Sequence, residues 1–280
     1  MMMMLKEWVD IEKLNWDLLS KNPNAIELLK ENPDKINWSF LSVNPNAIEM
    51  LKENPDKINW NYLSLNPNAI ELLKENPDKI NWCFISGNIN AIELLKENQD
   101  KINWKFISTN PNAVDLIKEN LDKIDNSFLS TNNNQIIVDL YMKDIKDKDI
   151  NSLRWDYLSL NTNINVIKFI EKNLNKVNWN NLSKNTNATH LLKANKNKIN
   201  WDLLCFNEHK EAIELLKENP DKINWKYLSL NPEIFTYDYN KIKIRNKELH
   251  EELIEKILEP DRLFKLIDTY GKKEIYNVYF

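Results

Sequence analysis

Ile58-Asn59-Trp60-Asn61-Tyr62-Leu63-Ser64-Leu65-Asn66-Pro67-Asn68-Ala69-Ile70-Glu71-Leu72-Leu73-Lys74-Glu75-Asn76-Pro77-Asp78-Lys79 is followed at once by Ile80-Asn81-Trp82, where the same text begins again. Trp16, Trp38, Trp60, Trp82 and Trp104 stand 22 residues apart. A fixed period of this length marks an array of stacked supersecondary units, none of which can bury its apolar face alone. Degenerate or stretched copies follow at Asn126, Trp155, Trp179, Trp201 and Trp225. The expanded copy, about 126–154, holds the charged run Lys143 to Asp149.

Local chemistry predicts how each unit is built. Asn59 is placed to cap a short helix carrying Trp60, Tyr62 and Leu63. Asn66 and Pro67 are suited to the N-cap and first position of a second helix of about three turns. Ala69, Ile70, Leu72 and Leu73 form its apolar face. Asn76 ends it, in the left-handed conformation that Asn tolerates, and Pro77 blocks continuation and can start a further turn. The 24-residue intervals after Trp155 and Trp201 lengthen the second helix of those units by two residues.

The fold class predicted is all-α, an α-solenoid of about ten two-helix units over residues 1–232. A C-terminal pair of capping helices over 233–280 would cover the last apolar face of an open array. Leu5 to Ile11 is expected to form a lead-in helix over the first unit. The leucine-rich repeat shares this period. It would place an apolar strand residue where the chain has Lys21, Val43, Leu65, Gly87, Thr109, Thr131, Leu160, Lys184, Phe206 and Leu230. Two lysines there argue against a core strand site.

Lys and Arg total 38 against 42 Asp and Glu, for a formal net charge of −4, so no basic excess points to nucleic acid. Gly87 and Gly271 are the only glycines, which excludes phosphate-cradling loops and the G-x-S-x-G elbow. His190, His209 and His250 lack metal-ligand spacing. The recurring Ser20, Ser42, Ser64, Ser86, Ser108 and Ser130 read as helix-end hydrogen bonders, because a nucleophile would occur once. Glu27/Lys30, Glu71/Lys74 and Glu93/Lys96 read as i,i+3 pairs on a solvated face. The tryptophans read as a packed core ladder. Cys83 and Cys205 lie about five units apart, too far for a disulfide. They are expected to be reduced thiols in a cytoplasmic protein. No catalytic residue, metal site or cofactor is expected.

The unit W-x-x-L-S-x-N-P-N-A-I-x-L-L-x-x-N-P-x-x-I-N, clearest at Trp38, Trp60 and Trp225, resembles a short repeat of proteins from giant nucleocytoplasmic large DNA viruses. The resemblance covers about Leu5 to Pro232. The ending Glu248 to Leu263 is similar to the usual close of that family, with Glu259 where a His commonly precedes the Pro. The resemblance implies a viral paralogue acting in the host cell, a protein-interaction role and no catalytic residues.

The functional expectation is therefore a non-enzymatic protein-interaction scaffold with an unspecified protein partner. The residue after Trp varies from unit to unit and is the candidate for specificity: Asp17, Ser39, Asn61, Cys83, Lys105, Asp156, Asn180, Asp202 and Lys226. Two alternatives come from other classes. One is a structural or virion-packaged component. The other is binding of nucleic acid or an acidic partner through a basic segment, Lys241, Lys243, Arg245 and Lys247. That segment would form a linker before a helix over about 247–258, broken at Pro260 and followed by a second over 261–270.

Overall fold

A computed structural model describes residues 2–145 and 149–257, together with 264, 265, 268 and 269. The chain divides into a large body, Leu5–Phe235, and a small one formed by Met1–Met4 with Thr236–Phe280. The described residues are mostly helical, and their only strands are Met3–Leu5 and Phe235–Tyr237, which pair as a two-stranded sheet. No strand recurs from unit to unit, so the leucine-rich alternative is not the fold.

One unit shows why this sequence makes these elements. Trp60–Leu63 is a single helical turn, and Asn59 Oδ1 accepts the Tyr62 N–H at 3.1 Å to cap it. A turn through Asn66–Ala69 leads into Ile70–Lys74, a shorter helix than the three turns expected. Asn76 then stops the chain at φ −132°, ψ 62°, not in the left-handed region. Its Nδ2 donates to the Leu72 carbonyl at 2.9 Å and so satisfies a helix-end acceptor directly. Pro77–Lys79 forms the further turn, a 3₁₀ helix. The lengthened helices also occur: Ile164–Glu171 and Lys210–Glu218 have 8 and 9 residues, against 5 in Ile70–Lys74.

Hydrogen bonds from two buried side chains per unit join successive units. Asn66 Oδ1 accepts the Asn68 N–H at 3.0 Å, which is the capping role expected of it. Its Nδ2 donates to the carbonyls of Ser42 and Asn44, one unit back, at 3.0 and 2.8 Å. Asn22, Asn44, Asn88, Asn110, Asn132, Asn161, Asn185, Asn207 and Asn231 repeat this geometry, all at most 3% exposed. The serines hold the next link. Ser42 Oγ donates to the Trp38 carbonyl at 2.9 Å and accepts the Asn59 N–H of the following unit at 3.0 Å. Their helix-end role is present, and a bridge between units is added to it.

The same bonds close the array. Asn22 of the first unit donates to the carbonyls of Ser229 and Asn231 in the last, both at 3.0 Å. Ser229 Oγ accepts the Asn15 N–H at 2.8 Å, and Asn24 Nδ2 donates to the Pro232 carbonyl at 3.0 Å. The large body is thus a closed ring of ten units, not an open array. The first unit occupies the face that a C-terminal cap was expected to cover, so the physical reason for that cap is gone.

The N-terminal residues complete the tenth unit. Leu5 to Ile11 is not the lead-in helix expected: a strand gives way to a turn and then the 3₁₀ helix Ile11–Lys13. Ile11-Glu12-Lys13-Leu14-Asn15-Trp16 has the register of Pro33-Asp34-Lys35-Ile36-Asn37-Trp38. Lys13 Nζ lies 5.3 Å from the centre of the Trp225 ring, as Lys35 lies 4.3 Å from that of Trp16. Trp8 packs on Trp225 with ring centres 6.4 Å apart. One structural unit is therefore assembled from both ends of the large body.

In the small body, Asp238 N–H donates to the Met2 carbonyl at 3.0 Å, and a helix runs from Tyr239 to Ile257. It begins eight residues before the expected start at 247, so the basic residues are helical and not a linker. The expected break at Pro260 and the start of the second helix lie outside the described residues.

Candidate interaction edge

The ring has a core of small and branched apolar side chains. Leu19, Leu41, Leu63, Ile85 and Ile107 are fully buried, as are Ala25, Ala47, Ala69 and Ala91. The tryptophans are not the centre of it. Trp155 is 8% exposed, but Trp16, Trp38, Trp60, Trp82, Trp104, Trp179, Trp201 and Trp225 are half-buried. Each of several rings has the lysine of the same unit's last turn over its face: Lys57 over Trp38 and Lys79 over Trp60 at 4.4 Å, Lys101 over Trp82 at 4.5 Å, Lys222 over Trp201 at 4.4 Å. A cation over an indole is attracted by the ring quadrupole. The lysine stem also covers apolar ring surface that the core does not reach.

Two places further along the helix, a second aromatic row runs from unit to unit. Phe84 and Phe106 meet edge to face at 6.2 Å, and Phe128 and Tyr157 lie 5.4 Å apart. The positions that accept lysine in the sequence, Lys21 and Lys184 among them, are half-buried beside this row. Lys21 Nζ stands 5.1 Å from the Phe40 ring of this row, whereas Lys184 Nζ lies 5.4 Å from Phe206, the residue at its own register in the next unit.

The side chains after Trp lie in register one unit apart, on the edge of the ring where the first helices are capped. Asn37 Nδ2 donates to Asp17 at 2.9 Å, Asn81 to Asn61 at 2.8 Å, Asn200 to Asn180 at 2.9 Å and Asn224 to Asp202 at 3.0 Å. Ser39 and Cys83 accept more loosely, from Asn59 and Asn103, both at 3.4 Å. These positions therefore tie adjacent units together as well as facing solvent.

Lys105 and Lys226 are exposed at the same register. Lys105 Nζ lies 4.6 Å from the Phe128 ring. The seventh unit departs from the pattern, because Arg154 replaces the capping Asn. Its guanidinium grips Asp156 with two bonds, at 3.2 and 3.0 Å, and holds that carboxyl below the usual carboxylate range.

The basic residues of the small body do not form one patch. Lys241, Lys243, Arg245 and Lys247 are all exposed, but residues two apart on a helix point to nearly opposite sides. Lys241 and Arg245 share one side, Lys243 and Lys247 the other.

Other candidate chemistry is sparse. Among the described residues no three His, Cys, Asp or Glu side chains gather as a metal ion would require. His190 Nε2 pairs with Glu171 Oε1 at 2.8 Å, and His209 caps the helix Lys210–Glu218. Cys83 and Cys205 are both free. Cys205 takes the place of the recurring serine, and burial pushes its thiol up from 9.0 to about 11. The Glu27/Lys30, Glu71/Lys74 and Glu93/Lys96 pairs form at 3.4, 3.0 and 3.0 Å on exposed surface. No described helix is long and apolar enough to cross a membrane.

Sequence reasoning missed one local feature, a cavity of about 200 Å³ lined by Leu121, Ile124, Asn126, Leu129, Leu140, Tyr141 and Asp144. Asn126 in the tryptophan register was the signal available for it. The architecture and its edge define a helical repeat protein. No protein-family model, curated protein or solved structure matches the chain.

Proposed function

We propose that this chain is a non-enzymatic protein-interaction scaffold whose binding edge is the row of side chains following the tryptophans. One observation carries the reading. Chemically different groups — carboxylate, amide, hydroxyl, thiol and ammonium — stand at one register on one edge, several of them held by the same asparagine of the next unit. Repeated residues hold the array together, so discrimination falls to the positions that vary. The solenoid expected from the sequence enters here as a ring of stacked units that would present this edge as a rigid rim. In the viral setting suggested by the resemblance, the partner would be a host-cell protein.

The edge is best tested where its side chains make no hydrogen bond to the next unit, Lys105 giving up only its place over the Phe128 ring. Lys105→Glu with Lys226→Glu reverses two exposed charges and leaves the Asn ladder intact. Glu71→Lys with Lys74→Glu, on the solvated helix face, is the control. Affinity capture from expressing cells should return partners that the edge variant loses at least tenfold and the control retains. A partner set insensitive to the edge variant would overturn the assignment.

A further inference from the structure

The sixth unit is built differently from its siblings. Asn126 stands where nine of the ten units have Trp, and Ser152 stands where the lysine that covers the ring would be. Leu121, at the place of Pro33, Pro55 and Pro77, is 51% exposed. The cavity is lined by Asn126 together with apolar Leu121, Ile124, Leu129 and Leu140 and polar Tyr141 and Asp144. Its volume of about 200 Å³ exceeds the roughly 150 Å³ that suffices for a benzene ring in an apolar protein cavity.

We infer that this cavity is a binding site for an indole-sized planar aromatic ring. The sibling units show what the register accommodates, because they supply an indole from their own chain. Small size and largely apolar walls favour a flat hydrocarbon surface. The ring would enter either as a free small aromatic molecule or as a tryptophan side chain of a peptide. This proposal does not depend on the scaffold reading.

The test uses the full chain, with indole and N-acetyltryptophanamide as probes and amide chemical-shift perturbation as the readout. Indole should bind saturably, with shifts centred on residues 121–144. N-acetyltryptophanamide binding as well as indole identifies a peptide side chain as the source; binding of indole alone identifies a free ligand. Asn126→Trp should fill the cavity from within and weaken indole binding at least tenfold. Leu121→Asp, a change at an exposed position that leaves the fold alone, should weaken it severalfold and keeps the test valid if the tryptophan variant misfolds. Absence of saturable indole binding to the wild-type chain, or undiminished binding to both variants, would overturn the assignment.

Discussion

Asn22→Ala tests ring closure, with Asn66→Ala as its internal reference. Both asparagines are 0% exposed and both make three hydrogen bonds. Asn22 donates to Ser229 and Asn231 across the seam and accepts the Asn24 N–H, each at 3.0 Å. Asn66 makes the equivalent bonds within the array. Removing the amide strands a buried carbonyl, that of Ser229 or Ser42, at a cost of about 1–3 kcal/mol, and forfeits two further bonds worth about 1 kcal/mol each. Each variant should therefore lose about 3–5 kcal/mol. In an open array Asn22 would sit at a free end and serve only as a cap, worth about 1 kcal/mol. Urea unfolding of the two variants should show equal shifts in midpoint at unchanged slope. A loss below about 1 kcal/mol for Asn22→Ala beside a large loss for Asn66→Ala would refute closure.

Other substitutions probe the remaining contacts. Trp60→Ala should cost about 2–3 kcal/mol by urea titration, below the usual range for a fully buried ring, because the indole is half-buried under Lys79. Lys79→Met, which keeps the apolar stem, should cost about 0.5–1 kcal/mol. Cys205 contributes a pH dependence of known sign. Its folded-state value near 11 lies above 9.0, so its contribution is complete below about pH 9 and is lost as pH rises through 11. The full loss is on the order of 3 kcal/mol, and Cys205→Ser should remove it, which paired denaturation curves at pH 8 and pH 10.5 would show. At pH 8 a thiol reagent should modify Cys83 well before Cys205, and equal rates would show that the ladder opens readily there.

Much of the fold is legible because each unit carries its own instructions. The Asn59 cap, the turn at Pro77 and the exposed Glu71–Lys74 pair depend on residues within a few positions of one another, and all three form as their chemistry requires. The errors fall where a residue's surroundings are set by chain many positions away or by an element that was not foreseen. Trp60 looks like a core residue from its neighbours in the chain, yet the ring lies at the ring body's surface beneath a lysine 19 positions later. Asn66 satisfies a local cap with its oxygen, which hides the use of its nitrogen one unit away. Lys243 and Lys247 look like members of one cluster until a helix divides them from Lys241 and Arg245. The candidate edge was legible as a set of varying positions, but its hydrogen bonds to the next unit were not.

The amino-acid sequence by itself determined the 22-residue period, the helical character of the units and the asparagine caps that open their first helices, since these rest on local backbone preferences. Only the tertiary structure decided that the array closes. Closure requires the small rotation between neighbouring units to sum to a full turn over ten of them, so that Asn22 meets Ser229 as Asn44 meets Ser20. That sum is a property of stacked three-dimensional units, and no single repeat encodes it. The N-terminal segment shows the same division of causes: Ile11-Glu12-Lys13 carries the local signature of a last turn, but only closure reveals that the turn belongs to the tenth unit.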